Sequence, residues 1–241
     1  MGGVATMRLG TSSSGPLAIF GGNLLAWWDA SNTASFTLAG SNVTSWADVS
    51  GHGLTADQST AGQKPLYSAT ALGGKPGVTF DGVDDALQMS SVASFPTGTN
   101  ACTLIAIAKL DSVGSYPQLF GYGKASSLKY RGLAGVAGNG KVGVTWYADD
   151  QETTTLWNAQ RLAICQFSGS TCDVSIDGGA NTTITSVGAP SVDASGNSGV
   201  VGQNPAGAGS GNYIVQELLV VSGTVTAAQI AAMQAYRAAK W

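Results

Sequence analysis

An all-β fold, a two-sheet jelly-roll sandwich with a short C-terminal helix, is what the 241-residue sequence predicts. Three observations carry this. About a dozen strand-length segments recur from end to end, nearly all punctuated by Gly, Asn, Asp or Pro. The stretch 157–178, WNAQRLAICQFSGSTCDVSIDG, reads as an antiparallel hairpin. Helical periodicity is clear only in the Ala-rich tail. Short strands in regular succession, with few helices between them, describe a sandwich or jelly roll rather than a parallel sheet.

The elements follow in order. Residues 1–22 carry one charge, Arg8, and a Thr/Ser/Gly run before a small apolar patch at Leu17, Ile19 and Phe20. Such an arm buries too little by itself to offset its ordering entropy. It is expected to be mobile unless it docks, with Leu17, Ile19 and Phe20 as the anchoring residues. The domain proper is expected over 23–241. Its strand candidates are LLAWWD (24–29), VTSWAD (43–48), GVTFDG (77–82), ALQMS (86–90), CTLIAIAKL (102–110), QLFGYG (118–123), KYRGLAGV (129–136) and KVGVTWYA (141–148). ADDQETTT reads as a solvated loop. In the hairpin, Leu162, Ile164 and Gln166 share one face and Ala163, Cys165 and Phe167 the other, so it is expected to be half-buried. Ser168-Gly169-Ser170 turns it, and Asp177-Gly178 reverses the chain again. TTITSV (182–187), SGVVGQ (198–203) and NYIVQELLVVSG (212–223) complete the strands. Thr226 with Gln229 then forms a T-x-x-Q capping box, opening a helix whose Ile230, Met233 and Tyr236 fall on one side.

Composition narrows the class of protein. Only 10% of residues are charged, against roughly 25% in ordinary soluble domains, while 34 are glycine. The surface is therefore covered largely by hydroxyls, amides and backbone. A net charge of −3 without a Lys or Arg cluster gives no footprint for a phosphate backbone, so no nucleic acid is expected. The longest apolar runs are strand-length, and no membrane partner is expected. The N-terminus lacks the basic-then-apolar pattern of a secretory signal. Cys102, Cys165 and Cys172 leave one thiol over in any pairing and are read as reduced and mostly buried. Cys165 and Cys172 face each other only if the hairpin turns at Ser168-Gly169.

Binding chemistry has two candidate locations. Sugar recognition needs exposed aromatic faces beside amides and carboxylates, a combination present at Tyr147, Asp149, Asp150 and Trp157. Trp27 and Trp28 must split between faces, as must Trp146 and Tyr147. Tyr116 and Tyr122 flank a loop–strand junction. Asp81, Asp84 and Asp85 in the FDGVDD loop offer hard oxygen ligands for Ca²⁺, and an Asx-type turn explains the same residues without an ion. The only histidine, His52, lies between two glycines in a turn and is expected to face solvent rather than serve as a general base.

Five fragments in order, LLAWWDAS, VTSWADVSGHG, KPGVTFDGVDDAL, the W-x-x-x-R-L-A-I-C-Q-F-S-G-S-T hairpin ending in SIDG, and QELLVVSGTVTAAQIAAMQAYRAAKW, resemble laminin-G-like domains of the concanavalin A-like jelly-roll superfamily. More narrowly they are similar to versions found in tailed-bacteriophage virion proteins. The resemblance covers about residues 23–241. It implies a non-enzymatic structural protein of the phage surface, a capsid decoration, with capsid subunits or further copies of itself as partners. The alternative it implies is a carbohydrate-binding adhesion module that reads host-surface glycans, on a tail fibre or in a secreted lectin-like protein. Relatives often hold Ca²⁺ at a rim through aspartates. Those that hydrolyse glucans place glutamates at alternate positions of one strand. Here Glu152 and Glu217, the only glutamates, fall in unrelated segments, and no enzyme is expected.

Overall fold

The computed structural model describes residues 15–112, 117–136, 139–195 and 199–241. Within them the chain forms β1 (Leu24–Asp29), β2 (Phe36–Ala39), β3 (Asn42–Ala47), β4 (Thr55–Asp57), β5 (Leu66–Leu72), β6 (Lys75–Thr79), β7 (Leu87–Met89), β8 (Cys102–Ser112), β9 (Gln118–Gly123), β10 (Tyr130–Gly135), β11 (Lys141–Thr145), β12 (Asp150–Leu156), β13 (Arg161–Ser168), β14 (Thr171–Ile176), β15 (Thr182–Thr185), β16 (Gly199–Val201) and β17 (Asn212–Ser222). Helices α1 (Pro16–Phe20) and α2 (Ala227–Lys240) flank them.

The strands pair antiparallel into two layers. One runs β1-β17-β8-β13-β14-β15, with β6 and then β5 added along the first half of β17. The other runs β2-β3-β4-β7-β16-β9-β10-β11-β12. Alternation along each strand sends one set of side chains between the layers. Trp28, Leu104, Ala106, Cys165, Phe167 and Leu218 come from the first layer and meet Trp46, Met89, Phe120, Tyr122, Leu133 and Val144 from the second. This is the all-β sandwich expected. Trp28 is buried here while Trp27 is only half-buried on the opposite face.

The hairpin keeps the expected faces but not the expected exposure. Ala163, Cys165 and Phe167 enter the inter-layer core, whereas Leu162 and Ile164 join Ile105, Ile107, Leu219 and Val221 in a second core on the outer face of the first layer. That outer face is covered by Phe20 of α1 and by Met233 and Tyr236 of α2, so β13 is buried on both sides. A helix roof removes the polar face that a half-buried strand would need. The hairpin closes at Ser168–Thr171 around Gly169-Ser170, which sets Cys172 opposite Phe167 and Cys165 opposite Val174. The two thiols are diagonal rather than facing, and all three cysteines are buried.

The described part of the arm docks on its own domain. Residues 1–14 lie outside the described residues, but 15–23 fold against the domain. Phe20 is buried and therefore occupied within the domain, Ile19 is half-buried with its carbonyl bonded by Gln229 Nε2 at 3.1 Å, and Leu17 remains exposed. The capping box of α2 forms as predicted, Thr226 and Gln229 each bonding the other's backbone N–H. ADDQETTT is not a loop: it contains most of β12, whose Thr153 turns inward and donates to Val142 O at 2.9 Å.

A charged clasp fastens the end of α2. Glu217, fully buried on β17, accepts from Tyr236 Oη at 2.7 Å, Lys240 Nζ at 2.6 Å, Trp241 Nε1 at 2.8 Å and Trp27 Nε1 at 3.0 Å. Lys240 Nζ also lies 2.6 Å from Asp29 Oδ2, and Asp29 is the cross-strand neighbour of Glu217. Burial raises the Glu217 carboxyl above its ordinary pKa, with Lys240 opposing.

Candidate functional site

Glycines shape the outer face of the second layer. Gly121 and Gly132 sit opposite each other on β9 and β10, and the Tyr130 side chain lies across both. A Cβ on Gly132 would come within 2.6 Å of Tyr130 Cε1, so only glycine lets the ring lie down there. Register then gathers polar side chains on the same face. Gly132 pairs with Thr145 of β11, and Thr145 with Asp150 of β12. On β9 an extra residue, Leu119, lets both Leu119 and Phe120 enter the core and sets Gln118 opposite Ala134, on the face of Tyr130.

Two further pieces complete a cleft. The β11–β12 turn holds Tyr147 at φ 61° and Ala148 at φ 61°, with Trp146 N bonded to Asp149 O at 3.1 Å. Two successive left-handed residues are the geometry of a type I′ hairpin turn, normally given to Asn and Gly. Placing Tyr and Ala there stores strain of about 1–3 kcal/mol per residue, a cost found most often at functional positions. On the opposite bank, Asn204 Oδ1 folds its loop by accepting from Ala206 N at 2.9 Å and Ala208 N at 3.2 Å, and Gly209 O accepts from Gln118 N at 2.6 Å. The resulting cleft, about 410 Å³, is lined by Gln118, Tyr130, Thr145, Tyr147, Asp150 and Asn204 together with Ala148, Ala208 and Gly209. That volume is in the usual range for small-ligand sites.

Two of the lining residues carry polar atoms that the protein leaves unused. Tyr130 Oη and Gln118 Oε1 are buried and make no hydrogen bond. Burial holds the Tyr130 phenol protonated by pushing its pKa far up. Asp150 is open to solvent yet surrounded by the cleft walls. Its pKa is raised by desolvation, and the neighbouring Asp149 adds to the effect while a bond from Thr145 opposes it.

Of the four residues read from sequence as a sugar site, Tyr147 and Asp150 line this cleft. Asp149 and Trp157 do not. The Asp149 carboxylate is buried, accepting from Ser186 Oγ, from Val187 N at 2.9 Å and from Gln151 Nε2 at 2.8 Å, and so joins the start of β12 to the end of β15. Trp157 is fully buried: its Nε1 donates to Ala134 O at 3.0 Å, and its ring meets Tyr213 edge-on. Sequence reasoning missed Gln118, Tyr130, Thr145 and Asn204. A tyrosine flanked in space by glycines was the available signal, in GYG and KYRG. Tyr116 lies outside the described residues, and Tyr122 is a core residue bonded to Pro96 O at 2.6 Å.

The aspartate loop is ordered by its own bonds. Asp81 Oδ1 accepts from Val83 N at 2.8 Å and Asp84 N at 3.3 Å, and Asp85 Oδ2 accepts from Asp81 N at 2.9 Å. One carboxylate oxygen from each of Asp81, Asp84 and Asp85 falls within 4.8 Å of the others. Burial, then the two neighbouring carboxylates, push Asp85 up to about 6 against the backbone bond from Asp81. These oxygens suit a hard cation, but two of the three carboxylates already serve backbone N–H groups, so the turn needs no ion to form. His52 is exposed, as expected, with Nδ1 2.9 Å from Ser50 Oγ.

Fold and cleft together define a β-sandwich, jelly-roll-like domain with a ligand-sized depression on one sheet face. No family model and no curated protein matches the chain. Solved structures do. The binding domain of botulinum neurotoxin serotype G is similar with TM-score 0.62 at 9% identity, covering 89% of this chain and 51% of that one. Trypanosoma rangeli sialidase gives 0.59 at 15% identity, covering 92% of this chain and 34% of that one. Domain 4 of AbnA, a GH43 extracellular arabinanase from Geobacillus stearothermophilus, in complex with arabinotriose, gives 0.58 at 13% identity, covering 86% and 96%. The chain thus spans about a third of the sialidase and half of the neurotoxin domain, and the likeness is one of fold. Among the described residues no helix is long and apolar enough to cross a membrane.

Proposed function

We propose that this domain binds carbohydrate without transforming it, in the cleft between the β9–β10 floor and the Tyr147-Ala148 turn. One observation carries the reading: Tyr130 and Gln118 both line the cleft, and each keeps a buried polar atom without a partner. Such an atom costs about 1–3 kcal/mol, which a ligand hydroxyl would recover. Tyr147 adds an aromatic face at the rim. One structural neighbour supports the ligand class, since the arabinanase domain, matched over 96% of its length, is seen with arabinotriose. Asp150 is the one carboxylate among the cleft residues, whereas glycoside hydrolysis usually needs two, about 5–9.5 Å apart. Calorimetric titration of an oligosaccharide panel is expected to give saturable binding that Tyr147→Ala and Gln118→Ala each weaken at least tenfold. If no sugar binds the unmodified chain, the reading is wrong.

The finer proposal, display on a tailed-phage particle as a capsid decoration contacting capsid subunits, rests on the sequence resemblance. A sugar-binding domain exposed on a particle is compatible with it. Mass spectrometry of purified particles should then detect the chain at a fixed ratio to the capsid subunit, and its absence from particles rejects that placement.

A further inference from the structure

We infer that the cleft selects sugars by charge, accepting neutral and, more tightly, amine-bearing units and excluding acidic ones; this rests on the carbohydrate reading above. The argument starts from what the lining can offer. Gln118 Oε1 is an acceptor without a donor, and the Asp150 carboxylate belongs to none of the ion pairs among the described residues. Asn204 Oδ1 is already used by its own loop. Tyr130 Oη, the other unpartnered atom, can donate as well as accept, so the cleft offers two acceptors and one phenol; sugar hydroxyls match both kinds, and an ammonium matches the acceptors.

Among the described residues no lysine or arginine lines the cleft. The reason lies in strand alternation and in pairing elsewhere. Arg131 follows Tyr130 directly, but alternation turns it to the other face. There its guanidinium donates to Asn100 O at 2.9 Å and Gly98 O at 3.2 Å and lies over the Tyr122 and Phe167 rings. Lys129 lines a separate depression with Ser191 and Asp193. Lys141 is paired with Glu152, and Lys124 with Asp193 at 3.0 Å. A uronate or sialate in the cleft would bring a second negative charge beside Asp150 with no cation to offset it. An ammonium would meet a carboxylate whose countercharge is missing.

The test uses the whole chain and matched sugar series. Each neutral oligosaccharide of the glucose, galactose and mannose series is titrated beside its uronate and its 2-amino counterpart. Within any series that binds, the amine is expected to bind at least tenfold tighter than the neutral sugar, and the uronate at least tenfold more weakly. Asp150→Asn should remove the amine's advantage and admit the uronate. Where that variant folds poorly, raising salt on the unmodified protein should narrow the same gaps, because ions screen the charge–charge part alone. A uronate that binds as tightly as its neutral partner, or discrimination unchanged in both Asp150→Asn and high salt, overturns the inference and leaves the carbohydrate reading standing. Failure of every series to bind removes both.

Discussion

Lys240→Met is expected to destabilise the fold by about 3 kcal/mol, mainly through the charges it leaves behind. Among the described residues Lys240 is the only cation paired with Glu217, which is 0% exposed, and it also serves Asp29, whose side chain is 9% exposed. Removing one member of a buried pair costs about 3–5 kcal/mol. The Lys240 side chain retains 21% exposure, so water partly screens the site, and the lower end of that range applies. Tyr236, Trp241 and Trp27 still donate to Glu217, which also limits the loss. For a domain of this length the cost corresponds to a fall of about 6–12 °C in melting temperature. Urea unfolding should show a lower midpoint with an unchanged slope. The pH dependence has a definite sign. A buried carboxyl with a raised folded pKa favours its protonated form, so its contribution is fully present below the ordinary value and is lost as pH rises through the raised one. Without Lys240 that pKa rises further, and the deficit should be largest at neutral pH and shrink on acidification toward the ordinary carboxylate range. A loss below about 1 kcal/mol at neutral pH, or one that does not change with pH, would refute the assignment of Lys240 as the compensating charge.

Three other outcomes are expected. Ala148→Gly should stabilise the domain by up to about 1 kcal/mol in urea titration, since glycine relieves the left-handed φ of 61°, and a destabilised variant would remove strain from the description of this turn. Asp149→Ala should cost about 2–3 kcal/mol by freeing Ser186 and Val187, with faster amide exchange at 186–187 as its local sign. Chelation should leave the melting temperature unchanged, because the Asp81–Asp85 turn closes on its own bonds, whereas a rise in millimolar Ca²⁺ that Asp84→Asn abolishes would place an ion there.

Strands with a large apolar content were legible from sequence: β1, β8, β9, β13 and β17 begin or end within two residues of their expected limits. The helix was equally legible, because Thr226 and Gln229 encode its start locally. β2, β4 and β12 were not, since each is short or polar, and β5 was not, since its seven residues include no buried side chain and do not alternate; these strands draw their order largely from a neighbour's backbone. The same distinction runs through the site. Tyr147 beside Asp150 was visible as an aromatic next to an acid. The inward turn of Asp149 depends on Ser186, 37 residues away, and that of Trp157 on Ala134, 23 residues away. Gln118 and Tyr130 become cleft residues only when a bulge, two glycines and the 204–209 loop converge.

The central strands β8, β13 and β17 are roofed on one side by α1 and α2 and faced on the other by the second sheet. Their amide protons should be released only when the whole domain opens, making this triplet the part of the molecule with the longest memory of deuterium. The cleft sits instead on the outer face of the second layer, at a turn and a loop that this anchorage leaves free to vary. If the cleft binds as proposed, durability and ligand choice fall to different sheets, and sequence drift in the second can retune what is bound while the first keeps the domain intact.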